Sequence, residues 1–124
     1  MLNKIKILFV DDEMDTCMIF KRMLDAEGFN VFTALSAKEG LALYKEEKPQ
    51  IVFLDIVMPG KDGIQLLKEI KKIEPQQIVM MITGSGEIGT VRAALKLGAY
   101  DYISKPFDLQ AIVNSIKEAL KANG

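Results

Sequence analysis

The sequence predicts an α/β fold: a (βα)5 doubly wound, five-stranded parallel sheet with helices on both faces. Three observations carry this. Short apolar runs alternate five times with longer amphipathic stretches, the pattern of parallel strands joined by helical crossovers. Several apolar runs are continuous rather than alternating, as in strands covered on both faces. The length of 124 residues, 49% of them apolar and 27% charged, suits one globular domain, so residues 1–124 are expected to form a single unit.

Ile5–Val10 (IKILFV) reads as the first strand. Met14–Glu27 reads as a helix, because Cys17, Phe20 and Leu24 recur at three- and four-residue spacing and Gly28 supplies a C-terminal stop. Asn30–Ala34 (NVFTA) is a short second strand. Ser36-Ala-Lys-Glu39 has capping-box spacing and opens a helix to about Glu47, with Leu41 and Tyr44 facing inward. The run Lys45-Glu-Glu-Lys48 reads as its solvated end. Beyond Pro49, Ile51–Leu54 (IVFL) is a buried third strand. Pro59-Gly-Lys-Asp-Gly63 is a loop, and Ile64–Ile73 a helix with Ile64, Leu67 and Ile70 on one face. Ile78–Thr83 (IVMMIT) is a buried fourth strand, followed by the turn Gly84-Ser-Gly86. Glu87–Leu97 is a helix closed by Gly98, and Tyr100–Ser104 the fifth strand. After Lys105-Pro106, Asp108 can cap a last helix carrying Leu109, Ile112, Ile116 and Leu120. No linker, repeat or low-complexity segment interrupts this series.

Composition narrows the chemistry. With 16 basic and 17 acidic residues the formal net charge is −1, which gives no sign of a nucleic-acid or membrane-surface binder. One cysteine, Cys17, rules out an internal disulfide. Histidine is absent, so histidine-ligated metal sites and histidine general bases are excluded. The N-terminal run MLNKIKILFV is too short to span a membrane and stops at charge. The chain is therefore expected to be cytoplasmic.

The stretch ILFVDDE drives a buried-looking strand straight into three acids. Asp11 and Asp12 follow the first strand, and Asp55 follows the third in VFLDIVMPG. Ligands of parallel α/β sheets bind beyond the carboxyl ends of the strands, where the strand order reverses. If the order is 2-1-3-4-5, strands one and three are neighbours at that reversal, and the acids converge on one cleft. Two carboxylates about 4 Å apart repel by roughly 4 kcal/mol at an effective dielectric near 20. A hard divalent cation relieves that repulsion, and a site that keeps several waters points to Mg²⁺. Taken alone, an Asp-Asp-Glu run is equally a solvated loop or a helix N-terminus favoured by the dipole. Thr83 alone reads as a β-branched strand residue, and Lys105 alone as a surface lysine. Together the strand ends bring carboxylates, a hydroxyl and an ammonium to one place. That set suits stabilisation of a transferring phosphoryl group, with Asp55 as nucleophile.

At this point the sequence resembles a bacterial two-component response-regulator receiver domain. The resemblance covers essentially the whole chain and rests on ILFVDDE, IVFLDIVMPGKDGIQLL, MMITGSGE and KLGAYDYISKPF in that order. It implies the flavodoxin-like 2-1-3-4-5 sheet and a phosphoacceptor role for Asp55. It implies Mg²⁺ held by Asp12, Asp55 and the Val57 backbone carbonyl, with Asp11 acting through water. Thr83 would bond a phosphoryl oxygen, and Lys105 would pair with Asp55 and then with the phosphoryl group. The Lys105–Pro106 bond would be cis, and Tyr102 would be the switch aromatic, its plainer reading being an ordinary half-buried strand tyrosine. Since the chain has no histidine, the donor would be a separate sensor histidine kinase or histidine phosphotransfer protein. The protein would be a switch that assists its own phosphorylation and dephosphorylation, not an enzyme with external turnover.

Two positions depart from common family patterns: Val57 is apolar and Ser85 is small, and both flank the path of attacking water. Three other readings compete. An aspartate-nucleophile phosphohydrolase usually has a second Asp where this chain has Val57. A flavodoxin would place its flavin phosphate against Asp11, Asp12 and Glu13, which repel it. A degenerate receiver acting only as an interaction module would not need all five site residues. After the last helix only Ala122-Asn-Gly124 remains, so the output is expected from a downstream protein or a missing output domain. This leaves room for a phosphorylation-linked dimer, and neither nucleic-acid nor membrane binding is expected of this chain.

Overall fold

The computed structural model describes residues 4–56, 58, 63–84 and 88–123. Along them β1 (Lys6–Val10), α1 (Met14–Ala26), β2 (Asn30–Ala34), α2 (Ala37–Glu47), β3 (Ile51–Asp55), α3 (Gly63–Ile73), β4 (Ile78–Thr83), α4 (Ile88–Lys96), β5 (Asp101–Ser104) and α5 (Leu109–Asn123) alternate. The strands form one parallel sheet in the order β2-β1-β3-β4-β5. The chain first moves outward from β1 to β2, then returns to lay β3 on the other side of β1. The order therefore reverses between β1 and β3, as the sequence predicts.

Period-two alternation divides the apolar residues between two cores. Leu8, Val10, Val52, Leu54, Val79 and Met81 pack on one face against Tyr44 of α2, Leu66, Leu67 and Ile70 of α3, and Val91 and Ala94 of α4. Ile7, Phe9, Ile51, Phe53, Met80 and Ile103 pack on the other against Cys17, Phe20 and Leu24 of α1 and Ile112 and Ile116 of α5. The central strands β3 and β4 are buried along their whole length, which explains their unbroken apolar runs. Phe9 and Phe20 stack at 4.0 Å between ring centroids, and Phe107 meets both edge-on at 5.9 and 5.8 Å. Phe107 thus pins the segment that follows Lys105 to the core. The Lys105–Pro106 peptide bond is cis.

Helix ends follow local chemistry. Gly28 lies just past α1 at φ +96 and Gly98 just past α4 at φ +106, a backbone region that favours glycine. Ser36 Oγ accepts the Glu39 N–H at 3.1 Å. The return bond differs from a standard capping box, because Glu39 Oε1 accepts the Leu35 N–H at 2.7 Å, one residue earlier than Ser36. Asp108 caps α5, its Oδ1 accepting the Gln110 N–H at 3.1 Å. Lys48 ends α2 in the left-handed region at φ 50, and its N–H bonds the Tyr44 carbonyl.

Small differences from the expected boundaries have local reasons. β1 begins at Lys6 rather than Ile5, and β3 extends through Asp55. Tyr100 precedes β5: its N–H reaches the Val79 carbonyl at 2.8 Å, but the ladder itself starts at Asp101. Leu66 is fully buried alongside Leu67 and Ile70 whereas Ile64 is only partly buried, so the α3 stripe is wider than the expected single face. Expectations for Val57, the 59–62 part of the loop, Ser85, Gly86, Glu87 and Gly124 lie outside the described residues. No helix among the described residues is long and apolar enough to cross a membrane.

Candidate functional site

Parallel strands deliver their C-terminal ends to one edge of the sheet. Val10 lies opposite Leu54, Asp55 opposite Ile82, and Thr83 opposite Ser104. The residues immediately after β1 and β5, and the last residues of β3 and β4, therefore gather there. Asp11, Asp12 and Asp55 each present a carboxylate oxygen, and these atoms all lie within 4.8 Å of one another. The convergence expected of the three acids is present.

Their environments differ. Asp11 is 0% exposed, Asp55 7%, and Asp12 is exposed. The Asp11 backbone N–H continues the sheet by bonding the Ala34 carbonyl at 3.1 Å. Its Oδ1 accepts the Glu13 N–H at 3.0 Å. Its Oδ2 is fully buried without a hydrogen bond of good geometry among the described residues, although the Lys105 ammonium stands 3.0 Å away. A buried carboxylate oxygen left with an ion-pair contact alone is an incompletely satisfied acceptor. Such an oxygen, within reach of two more carboxylates, is the donor set a hard divalent cation takes. The residues present fit Mg²⁺.

Lys105 is the cation of the cluster. Its Nζ lies 3.0 Å from Asp11 Oδ2, 3.3 Å from Glu13 Oε1 and 3.6 Å from Asp55 Oδ2. Burial alone would lower its pKa. The close contact and charge of Asp11, the charge of Asp55 and the bond to Glu13 outweigh that and hold it above the ordinary lysine range. The pairing expected with Asp55 exists, but Asp11 is closer. Asp11 is the most deeply buried of the acids and has an oxygen to spare, which makes it the stronger attractor.

Thr83 is 6% exposed, and its hydroxyl donates to the Gly84 carbonyl at 2.8 Å. Its own carbonyl accepts the Lys105 N–H at 2.9 Å, which ties β4 and β5 together beside the acids. Tyr102 is 47% exposed on edge strand β5. It is therefore a half-exposed strand residue, as the plainer reading expects. Cys17 is buried beneath the site, its thiol donating to the Asp11 carbonyl at 3.3 Å. Burial, helped by the Asp11 charge, pushes this thiol up to about 11. The Val57 carbonyl lies outside the described residues.

Two residues matter here that sequence reasoning did not single out. Gly63 folds back under Asp55: its N–H bonds the Ile56 carbonyl at 3.2 Å, and a Cβ there would collide with the Asp55 carbonyl oxygen. The signal was the second glycine of PGKDG. Glu13, the last acid of ILFVDDE, reaches Lys105 across 92 residues of sequence. Clefts of about 500 and 650 Å³ open near Gln50, at the opposite end of the sheet, and include none of the strand-end acids.

The family model for the response regulator receiver domain matches residues 7–117. Sporulation initiation phosphotransferase F of Bacillus subtilis is 34% identical over 120 residues, covering 97% of this chain and 96% of that protein. The nitrogen assimilation regulatory protein NtrX of Azorhizobium caulinodans is 42% identical over 117 residues, 93% of this chain. The chain spans only 26% of that NtrX, about a quarter of its length. Among solved structures, a response regulator receiver domain protein from Clostridium thermocellum superposes with a TM-score of 0.92 at 36% identity, covering 96% of both chains. NtrX from Brucella abortus superposes with a TM-score of 0.91 at 40% identity, covering 97% of this chain and 28% of its own. With the same doubly wound sheet and a match that runs from β1 into α5, the protein belongs to the response regulator receiver domain family, the signalling modules of two-component systems.

Proposed function

We propose that this receiver, a single domain over residues 1–124, takes a phosphoryl group onto Asp55 from a phosphohistidine of a sensor kinase or phosphotransfer protein. The observation that carries the reading is the meeting of the Asp11, Asp12 and Asp55 oxygens within 4.8 Å, with the Lys105 ammonium beside them. Asp12, Asp55 and the Val57 carbonyl would hold Mg²⁺, with Asp11 acting through water. When bound, the ion screens the carboxylates from one another and neutralises charge on the transferring phosphoryl oxygens.

The chain's own groups do the rest. One Asp55 oxygen attacks phosphorus, forming an acyl phosphate as the P–N bond to the donor imidazole breaks and the imidazole takes up a proton. Lys105, already charged and 3.6 Å from Asp55, offsets the negative charge that arrives. Thr83 turns its hydroxyl from the Gly84 carbonyl to a phosphoryl oxygen. The added group carries roughly −1.5 to −2 charges and three acceptor oxygens. Drawing Thr83 and Lys105 toward it biases β4, α4 and β5 between two arrangements, with exposed Tyr102 reporting the change at the output face. The name of the sporulation phosphotransferase supports a place in a relay of phosphoryl groups. The partial coverage of NtrX supports an output that lies in a further domain or a separate protein. A cytoplasmic location follows from that role.

The test is labelling by acetyl phosphate in Mg²⁺ with the unsubstituted protein and with Asp55→Asn. The reading predicts labelling of the first and none of the second. Undiminished labelling of Asp55→Asn would remove Asp55 from its role.

A further inference from the structure

The acid cluster already contains a positive charge. Lys105 Nζ touches Asp11 and Asp55, two of the three carboxylates that converge there, and it also touches Glu13, which is not among them. An ammonium and a divalent cation at this cluster both draw on the Asp11 and Asp55 carboxylates, and they repel each other. Lys105 must therefore give up Asp11 when a cation enters, and it needs another partner nearby.

Glu13 is placed for that purpose. It is the N-cap residue of α1, yet its side chain makes no capping bond. Its backbone N–H is spent on Asp11 Oδ1 at 3.0 Å, which fixes the residue beside the cluster. Its carboxylate instead accepts from Lys105 Nζ at 3.3 Å, at the solvent edge. The base of Lys105 is held as well, by its N–H on the Thr83 carbonyl and by the packing of Phe107 against Phe9 and Phe20. The ammonium therefore swings from a fixed backbone position.

We propose that Glu13 is a positioning residue for Lys105, giving the ammonium a seat outside the divalent-cation cluster so that it can yield Asp11 without leaving the site. This rests on the reading of the three aspartates as the Mg²⁺ site, with Asp11 acting through water. Glu13 then strengthens Mg²⁺ binding through Lys105, by relieving competition, rather than through its own charge alone.

A double-mutant cycle on the Mg²⁺ dissociation constant separates the two routes. Calorimetric titration would use the unsubstituted protein, Glu13→Gln, Lys105→Met and the double variant. Lys105→Met binds Mg²⁺ more tightly than the unsubstituted protein. Glu13→Gln weakens Mg²⁺ binding about fivefold when Lys105 is present and less than about twofold when it is replaced. Equal weakening in both backgrounds, or no weakening in either, overturns the proposal while leaving the Mg²⁺ reading intact. No Mg²⁺ uptake by the unsubstituted protein overturns the Mg²⁺ reading, and the proposal with it. Should Lys105→Met fail to fold, ammonium-detected NMR on the unsubstituted protein and Glu13→Gln decides the matter. The Lys105 NH₃⁺ signal stays protected from exchange throughout an Mg²⁺ titration when Glu13 is present, and is lost on titrating Glu13→Gln. Identical protection in the two proteins overturns the proposal.

Discussion

Replacing Lys105 by Met keeps most of the side-chain stem and deletes the charge. The Asp11 contact at 3.0 Å and the Asp55 contact at 3.6 Å are each worth about 5 kcal/mol of Coulomb energy at an effective dielectric near 20. Desolvation of the ammonium offsets part of this, since the Lys105 side chain is only 26% exposed. The loss of one partner from a buried ion pair amounts to about 3–5 kcal/mol, because the remaining charge is left uncompensated. Here the abandoned group is Asp11, wholly buried and lacking a hydrogen bond at Oδ2. Against a total stability of roughly 5–15 kcal/mol for a domain of this kind, this is a large share of the whole in EDTA. Mg²⁺ supplies the missing positive charge, and at about 100 times its dissociation constant adds about 2.7 kcal/mol. Urea unfolding followed by circular dichroism, in EDTA and in millimolar Mg²⁺, reads both effects. The account expects a large gap between variant and parent in EDTA that narrows in Mg²⁺. Coincident unfolding curves in EDTA, or a gap that Mg²⁺ leaves unchanged, would refute it.

Gly63→Ala would drive a Cβ into the Asp55 carbonyl oxygen and within 2.9 Å of its carbonyl carbon. Both are backbone atoms that cannot move aside, so thermal unfolding should reveal a loss of about 3 kcal/mol or more. Acetyl-phosphate labelling of Asp55 should slow as well. The Cys17 thiol, pushed up to about 11 from 9.0, binds its proton more tightly in the folded state. Its contribution is therefore complete below pH 9.0 and is lost as pH rises through the folded value, about 2–3 kcal/mol in all. Urea titrations across that range should show this slope in the unsubstituted protein and not in Cys17→Ala. At neutral pH the same burial should leave Cys17 inert to Ellman's reagent until the protein unfolds.

The parts of the fold that could be read from residues alone are those where a local pattern and the final packing agree. β3 and β4 announced themselves because burial on both faces demands unbroken apolar runs. α1 and α4 ended at Gly28 and Gly98 because those positions require positive φ. Asp11, Asp12, Asp55, Thr83 and Lys105 could be grouped because parallel strands send their ends to one edge. What local pattern does not encode is which neighbour wins. Lys105 sits nearer Asp11 than Asp55 because burial deprives Asp11 Oδ2 of other partners, a three-dimensional fact. Tyr102 is exposed because β5 is an edge strand. Glu13 looked like one more solvated acid until the register of the strands brought Lys105 to it.

The central claim is that the gathered carboxylates take up Mg²⁺ and thereby make Asp55 ready to receive a phosphoryl group. Intact-mass spectrometry of the unsubstituted protein incubated with phosphoramidate, in Mg²⁺ and in EDTA, tests it most directly. The account predicts one added phosphoryl group in Mg²⁺, mapped to Asp55, and almost none in EDTA. Equal modification in both, or modification mapped to another residue, would contradict it.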